Sequence, residues 1–144
     1  MQPLHSPAEP GTYALLLTAT APLEVVVGRL GACRLPAGHY VYVGSAHGPG
    51  GLAARLTRHC RAPKRPHWHI DYLTAILPVA QVLYQVSAAR LECAWVQKLL
   101  ALPGATAPIP GFGNGDCRAG CPAHLVRLPD GYDPAYLADD LAID

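Results

Sequence analysis

HYVYVGSAHGPGGLAARLTRHCR, residues 39–61, decides how this chain folds. Its first part alternates as a strand does, with Tyr40 and Tyr42 on one face and Val41 and Val43 on the other. Gly48, Gly50 and Gly51 follow, where backbone can take positive φ or come close to another group. From Gly51 the pattern turns helical: Leu52 and Leu56 share a side with His59, and Arg55, Arg58 and Arg61 recur every third residue. A strand ending in tyrosine and glycine therefore leads through a bend into an arginine-rich helix. Phenol and guanidinium groups brought together at such a bend make a candidate phosphate site. The same pattern fits a buried strand followed by a solvated basic helix face, and this stretch alone leaves both readings open.

Upstream, Gly11–Thr18 (GTYALLLT) is an apolar run suited to a central strand and entered through Pro10-Gly11. Leu23–Gly28 and Arg29–Leu35 read as a strand and its return, reversing near Gly28 and Gly31. With Pro36-Ala37-Gly38 turning the chain into 39–44, the first 45 residues read as a four-stranded meander. Downstream, Pro63 and Pro66 end the basic helix, and a second helix is expected from His67 to Pro78. Val79–Val86 alternates as a strand, and Ala88–Leu102 reads as the clearest helix, stopped by Pro103-Gly104. Residues 103–123 are loop-like, His124–Leu128 adds an edge strand, and the Asp-rich remainder is a frayed helix or a disordered tail. The fold class expected is α/β of the α+β type: a small, mainly antiparallel sheet flanked by helices. Residues 1–10 read as a disordered leader, 11–128 as the domain and 129–144 as an acidic tail.

A chain of 144 residues fits one domain with a sizeable core. No apolar run reaches the roughly 18–20 residues of a membrane span, so no membrane partner is expected. The first residues lack a basic region and an apolar signal core, and five cysteines form no regular framework. Both point to a reducing, cytoplasmic setting. After Leu128 come Asp130, Asp133, Asp139, Asp140 and Asp144 with no Lys or Arg, so residues 1–128 hold 11 basic side chains against 5 acidic ones. Arg55, Arg58, Arg61, Lys64 and Arg65 fall within eleven residues, interleaved with His59 and His67. Such density is an electrostatic footprint for phosphate, and it raises the expectation that the acidic tail covers the basic helix.

Gly11-Thr12-Tyr13 on the first strand, Tyr42-Val43-Gly44 on a later one, Arg55 on the next helix and Glu92 in Leu91-Glu92 stand in a definite order. With GPGGLAARL (48–56), HWHIDYL (67–73) and Cys121-Pro122-Ala123-His124-Leu125, this order resembles the GIY-YIG nucleases, in particular their small stand-alone prokaryotic Uri-type members. The resemblance spans about residues 11–128. Thr12 replaces the isoleucine of the family name, an inserted hairpin at 23–35 lengthens the spacing between the two tripeptides, and the Gly-rich insertion moves Arg55 later, making Arg58 a competitor for its role.

The resemblance implies metal-assisted hydrolysis of phosphodiester bonds in DNA, with RNA not excluded and a protein partner or homodimer left open. Tyr13 and Tyr42 would position and deprotonate the attacking water, helped by cations that lower a phenol pKa of ~10. Arg55 would stabilise the phosphate, His59 would bind phosphate or move a proton, and Glu92 would hold Mg²⁺ or Mn²⁺. Arg55, Arg58, Arg61, Lys64, Arg65 and His67 form the candidate nucleic-acid surface. His67, His69 and Asp71 form a second constellation, in a positioning role or a structural network: His67 and Asp71 share a helix face in this reading and His69 points elsewhere. Separately, Cys117, Cys121 and His124 have the ligand types and spacing of a zinc site, with the fourth ligand sought in Cys60 or His67. Two rival classes remain: a non-catalytic nucleic-acid-binding module, and a zinc-stabilised interaction domain.

Overall fold

The computed structural model describes residues 6–61, 65–114, 117 and 119–143. Lys64, one of the candidate nucleic-acid contacts, lies outside the described residues. The architecture is α+β, as expected. Strands β1 (Gly11–Ala19), β4 (Gly38–Ala46), β5 (Val79–Val86) and β6 (Leu125–Arg127) form a sheet in the order β5-β1-β4-β6, with every neighbouring pair antiparallel. Strands β2 (Leu23–Val27) and β3 (Gly31–Leu35) pair with each other in a separate ribbon, joined by a 3-10 turn at Gly28–Leu30. The meander expectation is therefore corrected: β4 returns directly against β1, with Tyr42 opposite Leu15, and the ribbon is an insertion between them.

Period-two alternation sorts the core into two layers. Tyr13, Leu15 and Leu17 of β1 and Tyr40 and Tyr42 of β4 face one side, where α1 (Gly51–Cys60) and α2 (His69–Thr74) place Leu52, Leu56, Ile70 and Leu73. Ala14, Leu16, Val41 and Val43 face the other, against Trp95, Val96 and Leu99 of α3 (Glu92–Leu100). Complete burial of each of those leucines contributes about 1.5–3 kcal/mol. The ribbon packs by the same rule, with Val25, Val27, Cys33 and Leu35 inward and Glu24 paired with Arg34 on the outer face.

Three boundaries shift for local reasons. Helix α3 begins at Glu92 rather than near 88, because the Ser87 hydroxyl accepts the Ala89 N–H and the buried Thr12 hydroxyl accepts the Leu91 N–H. Helix α2 begins at His69 because the Asp71 carboxylate takes the N–H groups of His67 and Trp68, at 2.8 Å each, and so holds both residues outside the helix. The expected leader is in part ordered: the Pro7 and Glu9 carbonyls accept the N–H groups of Ala53 and Leu52, both at 2.9 Å.

That last contact reassigns the Gly-rich bend. A side chain at Gly51, where φ is +54°, would place its Cβ 2.4 Å from the Glu9 carbonyl oxygen. The first-turn amides of α1 that would cradle an anion already serve the chain that precedes β1. Glycine is there to let two backbone segments meet.

The acidic stretch also folds onto the domain. After a 3-10 turn at Pro134–Tyr136, helix α4 (Leu137–Asp140) buries Leu137, and Leu141 follows into the same layer as Trp95, Val96 and Leu99. It therefore sits on the sheet face opposite α1, and the expectation that it covers the basic helix is corrected. No helix among the described residues is long and apolar enough to cross a membrane.

Candidate active site and metal centre

A cleft of about 200 Å³ opens where the end of β4 meets the starts of α2 and α3. Tyr42, Arg55, His67, Trp68, His69 and Glu92 line it, together with Gly113, Cys117 and His124 from the loop before β6. Three residues expected to act together from distant parts of the sequence, Tyr42, Arg55 and Glu92, thus share one wall-to-wall space. Tyr13 and His59 do not line it. Both lie behind it, almost wholly buried, with Tyr13 Oη 2.6 Å from His59 Nε2.

Burial also decides the phenol's electrostatics. It drives the pKa of Tyr13 well above the ordinary value, with Tyr42 adding to the rise, and the nearby Arg55 only partly offsets them. The expectation that neighbouring cations ease deprotonation is corrected for Tyr13, where burial outweighs the guanidinium of Arg55. Gly44, the last residue of the second tripeptide, explains itself here. A Cβ at that position would come within 2.5 Å of the Tyr13 hydroxyl, so the phenol fits only because residue 44 lacks one.

The basic cluster separates into different tasks. Arg55 donates to the Ser45 carbonyl at 3.2 Å, lies over the Trp68 ring with its guanidinium carbon 4.2 Å from the centroid, and faces the cleft. Arg58 forms a two-point pair with Asp71, at 2.8 and 2.9 Å, and also lies over Trp68. Arg58 is therefore no equal competitor for the role assigned to Arg55, since its fork is committed. Asp71 accepts from Arg58, His67 N–H and Trp68 N–H. These bonds outweigh its burial and bring its carboxyl down to about 2. Arg61, Arg65 and His67 are exposed, and of these His67 reaches the cleft.

Glu92 stands at the first turn of α3, whose start the Thr12 hydroxyl ties to β1. Thr12, which stands where the family name has isoleucine, thus positions the helix that carries the carboxylate. Glu92 Oε2 is buried and has no hydrogen-bond partner among the described residues. A buried, unmatched carboxylate oxygen on a cleft wall is suited to a cation.

Immediately after it comes a cluster that the sequence outlined only in part. Cys93, Cys117, Cys121 and His124 present one donor atom each, all within 4.8 Å of one another, and this group could hold a metal ion. Cys93 Sγ lies 3.6 Å from Cys117 Sγ and 4.0 Å from His124 Nε2. A tetrahedral centre with metal–sulfur bonds of ~2.3 Å separates its sulfurs by about 3.8 Å, so the spacing suits one. The fourth member of the cluster is Cys93, not Cys60 or His67. Burial and the neighbouring thiols push Cys93 up to about 12. Burial opposes ionisation of Cys117 too, but N–H groups of Cys121 and Ala119, with His124 and Cys93, bring it down to about 6. The Asn114 side-chain amide donates to the Cys121 carbonyl at 2.6 Å and braces the same loop.

A family model described as domain of unknown function DUF123 matches residues 12–141. The chain belongs to that family. The match runs from Thr12, which anchors α3, to Leu141, which closes the second core layer, so the DUF123 unit includes the acidic C-terminal helix together with the cleft and the metal-ligand cluster. No curated protein and no solved structure matches the chain.

Proposed function

We propose that this DUF123 protein is a divalent-metal-dependent endonuclease that hydrolyses DNA phosphodiester bonds, with the resemblance to GIY-YIG nucleases reflecting a shared mechanism. The observation that carries the reading is the meeting of Tyr42, Arg55 and Glu92 around one cleft, with the Tyr13–His59 pair directly behind it. In this reading Tyr42, on the cleft wall, first gives its hydroxyl proton to solvent; the phenolate then takes a proton from the attacking water as the new P–O bond forms and the P–O bond to the departing oxygen breaks. Arg55 stabilises charge on the non-bridging oxygens, and the departing oxygen gains its proton from solvent. Tyr13 and His59 hold Tyr42 in place, with ring centroids 6.4 and 6.2 Å from it. Glu92 fits Mg²⁺ or Mn²⁺ because its buried oxygen has no hydrogen-bond partner among the described residues, and such an ion would supply charge neutralisation and an acidified water.

Zinc is the metal best suited to Cys93, Cys117, Cys121 and His124, a closed set of three thiolates and one imidazole with no open position. Its role here is structural, fixing the loop that supplies Gly113 to the cleft. The same cluster also fits a zinc-stabilised interaction domain; the rival to be told from the nuclease first is a nucleic-acid-binding module that does not cut.

Cleavage of plasmid, single-stranded and branched DNA, with RNA alongside, separates the two when run with Mg²⁺ or Mn²⁺ for the natural protein and for Glu92→Ala. Metal-dependent cutting that disappears with Glu92 supports the enzyme. Salt-sensitive binding without cutting, indifferent to Glu92→Ala, supports the module.

A further inference from the structure

His69 has no part in the catalytic or metal-binding roles assigned above, yet it lines the cleft beside Arg55 and Glu92. Its ring is fixed by a contact from far along the chain: the backbone N–H of Gly113 donates to His69 Nδ1 at 2.9 Å. A backbone amide can only donate, so Nδ1 must be the acceptor, and the neutral ring carries its proton on Nε2. The imidazole also packs against Phe112, with ring centroids 5.5 Å apart, which removes its freedom to flip. On the other side, Asp71 holds the N–H groups of His67 and Trp68 and so sets the turn from which His69 projects.

The other histidines near the cleft are placed differently. The Nε2 of His59 is engaged with Tyr13, His124 belongs to the metal-ligand cluster, and His67 is exposed with its ring edge-on to Trp68. Among the described residues, no hydrogen bond joins His69 to Glu92 or to Arg55 across the cleft. What remains is an N–H donor of fixed tautomer and fixed orientation, in a space that also holds a guanidinium.

We propose that His69 is a substrate-contacting residue whose Nε2–H donates a hydrogen bond to a non-bridging oxygen of the phosphate bound in this cleft. The inference deepens the nuclease reading and rests on it for the identity of the phosphate. Arg55 brings charge to the anion; His69 brings a neutral donor whose direction is set before the ligand arrives. A preset donor loses little on reorganisation as charge builds, which is where an oxyanion contact is worth most.

Two substitutions pull the structural and the ligand-facing roles apart. In His69→Asn the side-chain oxygen sits near the old Nδ1 position and can keep the Gly113 bond, but the donor at the Nε2 position is lost. In His69→Gln the amide reaches the Nε2 position and restores that donor. The proposal expects Asn to lower kcat for plasmid cleavage roughly hundredfold, and Gln to stay within about tenfold of the natural protein. A purely structural histidine gives the opposite ranking, and that result would overturn the proposal while leaving the nuclease reading in place.

A second measurement does not depend on cutting. The full chain, labelled with ¹⁵N at histidine, is examined by NMR above neutral pH and then titrated with inorganic phosphate. The proposal expects His69 protonated at Nε2 and that N–H resonance to move as phosphate binds. Protonation at Nδ1, or phosphate binding that leaves the Nε2–H resonance unmoved, overturns it, as does the absence of any phosphate response. If phosphate moves the resonance but no nucleic acid is cut, the nuclease reading fails and the His69 anion contact stands.

Discussion

The Tyr13 hydroxyl and His59 Nε2 lie 2.6 Å apart although 46 residues separate them in sequence, and that bond ties β1 to α1 beneath the cleft. Removing the hydroxyl in Tyr13→Phe takes this partner from a buried imidazole and is expected to cost about 1–3 kcal/mol of stability. The phenol also has a pH signature. Its native pKa is raised, chiefly by burial, so the unfolded chain loses the proton near pH ~10 while the native state keeps it. Native stability therefore falls as pH rises past that point. Denaturant melts of Tyr13→Phe should show a shallower alkaline decline than the natural protein, and identical slopes would contradict the assignment.

Gly44→Ala offers an independent check on the same fit. The added methyl would lie 2.5 Å from the Tyr13 hydroxyl oxygen and 2.6 Å from its ring carbon, both inside van der Waals contact. Displacing the ring should cost about 1–3 kcal/mol. Because the ring's movement also disturbs Tyr42, cleavage should fall more steeply than stability. A variant as stable as the natural protein would show that the phenol is not confined there.

Glu92→Gln preserves shape and removes charge. If the buried Oε2 serves a cation, the substitution should lower cleavage roughly hundredfold or more and leave thermal stability intact. Thr12→Val is the informative companion: it removes the hydroxyl that holds the Leu91 N–H without touching the carboxylate. It should weaken the dependence on metal concentration, shifting half-saturation upward, because the start of α3 is less firmly placed. Full activity at ordinary metal levels for Glu92→Gln would count against the site.

The Cys93, Cys117, Cys121 and His124 group should carry one metal per chain, measured by elemental mass spectrometry on protein prepared without added metal. Cys93→Ser should lose it, while Cys60→Ser should keep it, since Cys60 is not among the four clustered ligands. Loss of the metal should lower Tm by about 10 °C or more, equivalent to roughly 3 kcal/mol for a domain of this size. Retention of a full complement by Cys93→Ser would exclude the four-ligand centre.

The strands and α1 were legible because their cores follow simple periods: Tyr40 and Tyr42 against Val41 and Val43, then Leu52 and Leu56 one turn apart. What could not be read locally was pairing. Nothing in 23–35 distinguishes a sheet strand from a ribbon that stands apart, because the choice is made by β4 pairing directly with β1. The metal-ligand cluster was half visible for the same reason. Cys117, Cys121 and His124 announce themselves by spacing, whereas Cys93 arrives from 24 residues away on a helix. Its position directly after Glu92, among Leu91, Ala94, Trp95 and Val96, was the one available signal. His69 stood out only by its place beside His67 and Asp71 in HWHIDYL, since its meaning comes from an amide 44 residues downstream.

Asp71 governs the acid limb of stability. Arg58 and two backbone N–H groups hold its native pKa at about 2, against 3.8 for the unperturbed group, despite its burial. A depressed carboxyl stabilises the fold above the unfolded value, and that contribution is lost as pH falls from about 4 toward 2. Its size at neutral pH is about 2–3 kcal/mol. Asp71→Asn should remove this acid-sensitive component and leave Arg58 without its buried partner, a loss of about 3–5 kcal/mol. Unfolding free energies measured from pH 7 down to pH 2 should then run nearly parallel to the baseline for the variant and fall for the natural protein.

Deleting residues 130–144 tests whether the acidic segment is an appendage or part of the core. Leu137 and Leu141 are buried against the layer that holds Trp95, Val96 and Leu99, and the Tyr132 hydroxyl donates to Asp140 to fasten the turn. Losing two fully buried leucines should cost about 3–6 kcal/mol. It also uncovers an aromatic and two aliphatic side chains on α3, so the shortened chain should aggregate on warming. Leu137→Ala separates packing from charge, because it keeps every aspartate; it should by itself cost about 2–5 kcal/mol. Since the segment lies across the sheet from Arg55, neither change should speed cleavage at temperatures where the protein stays folded. A truncated chain that melts as the natural one does and cuts faster would return the segment to the role of a cover over the basic helix.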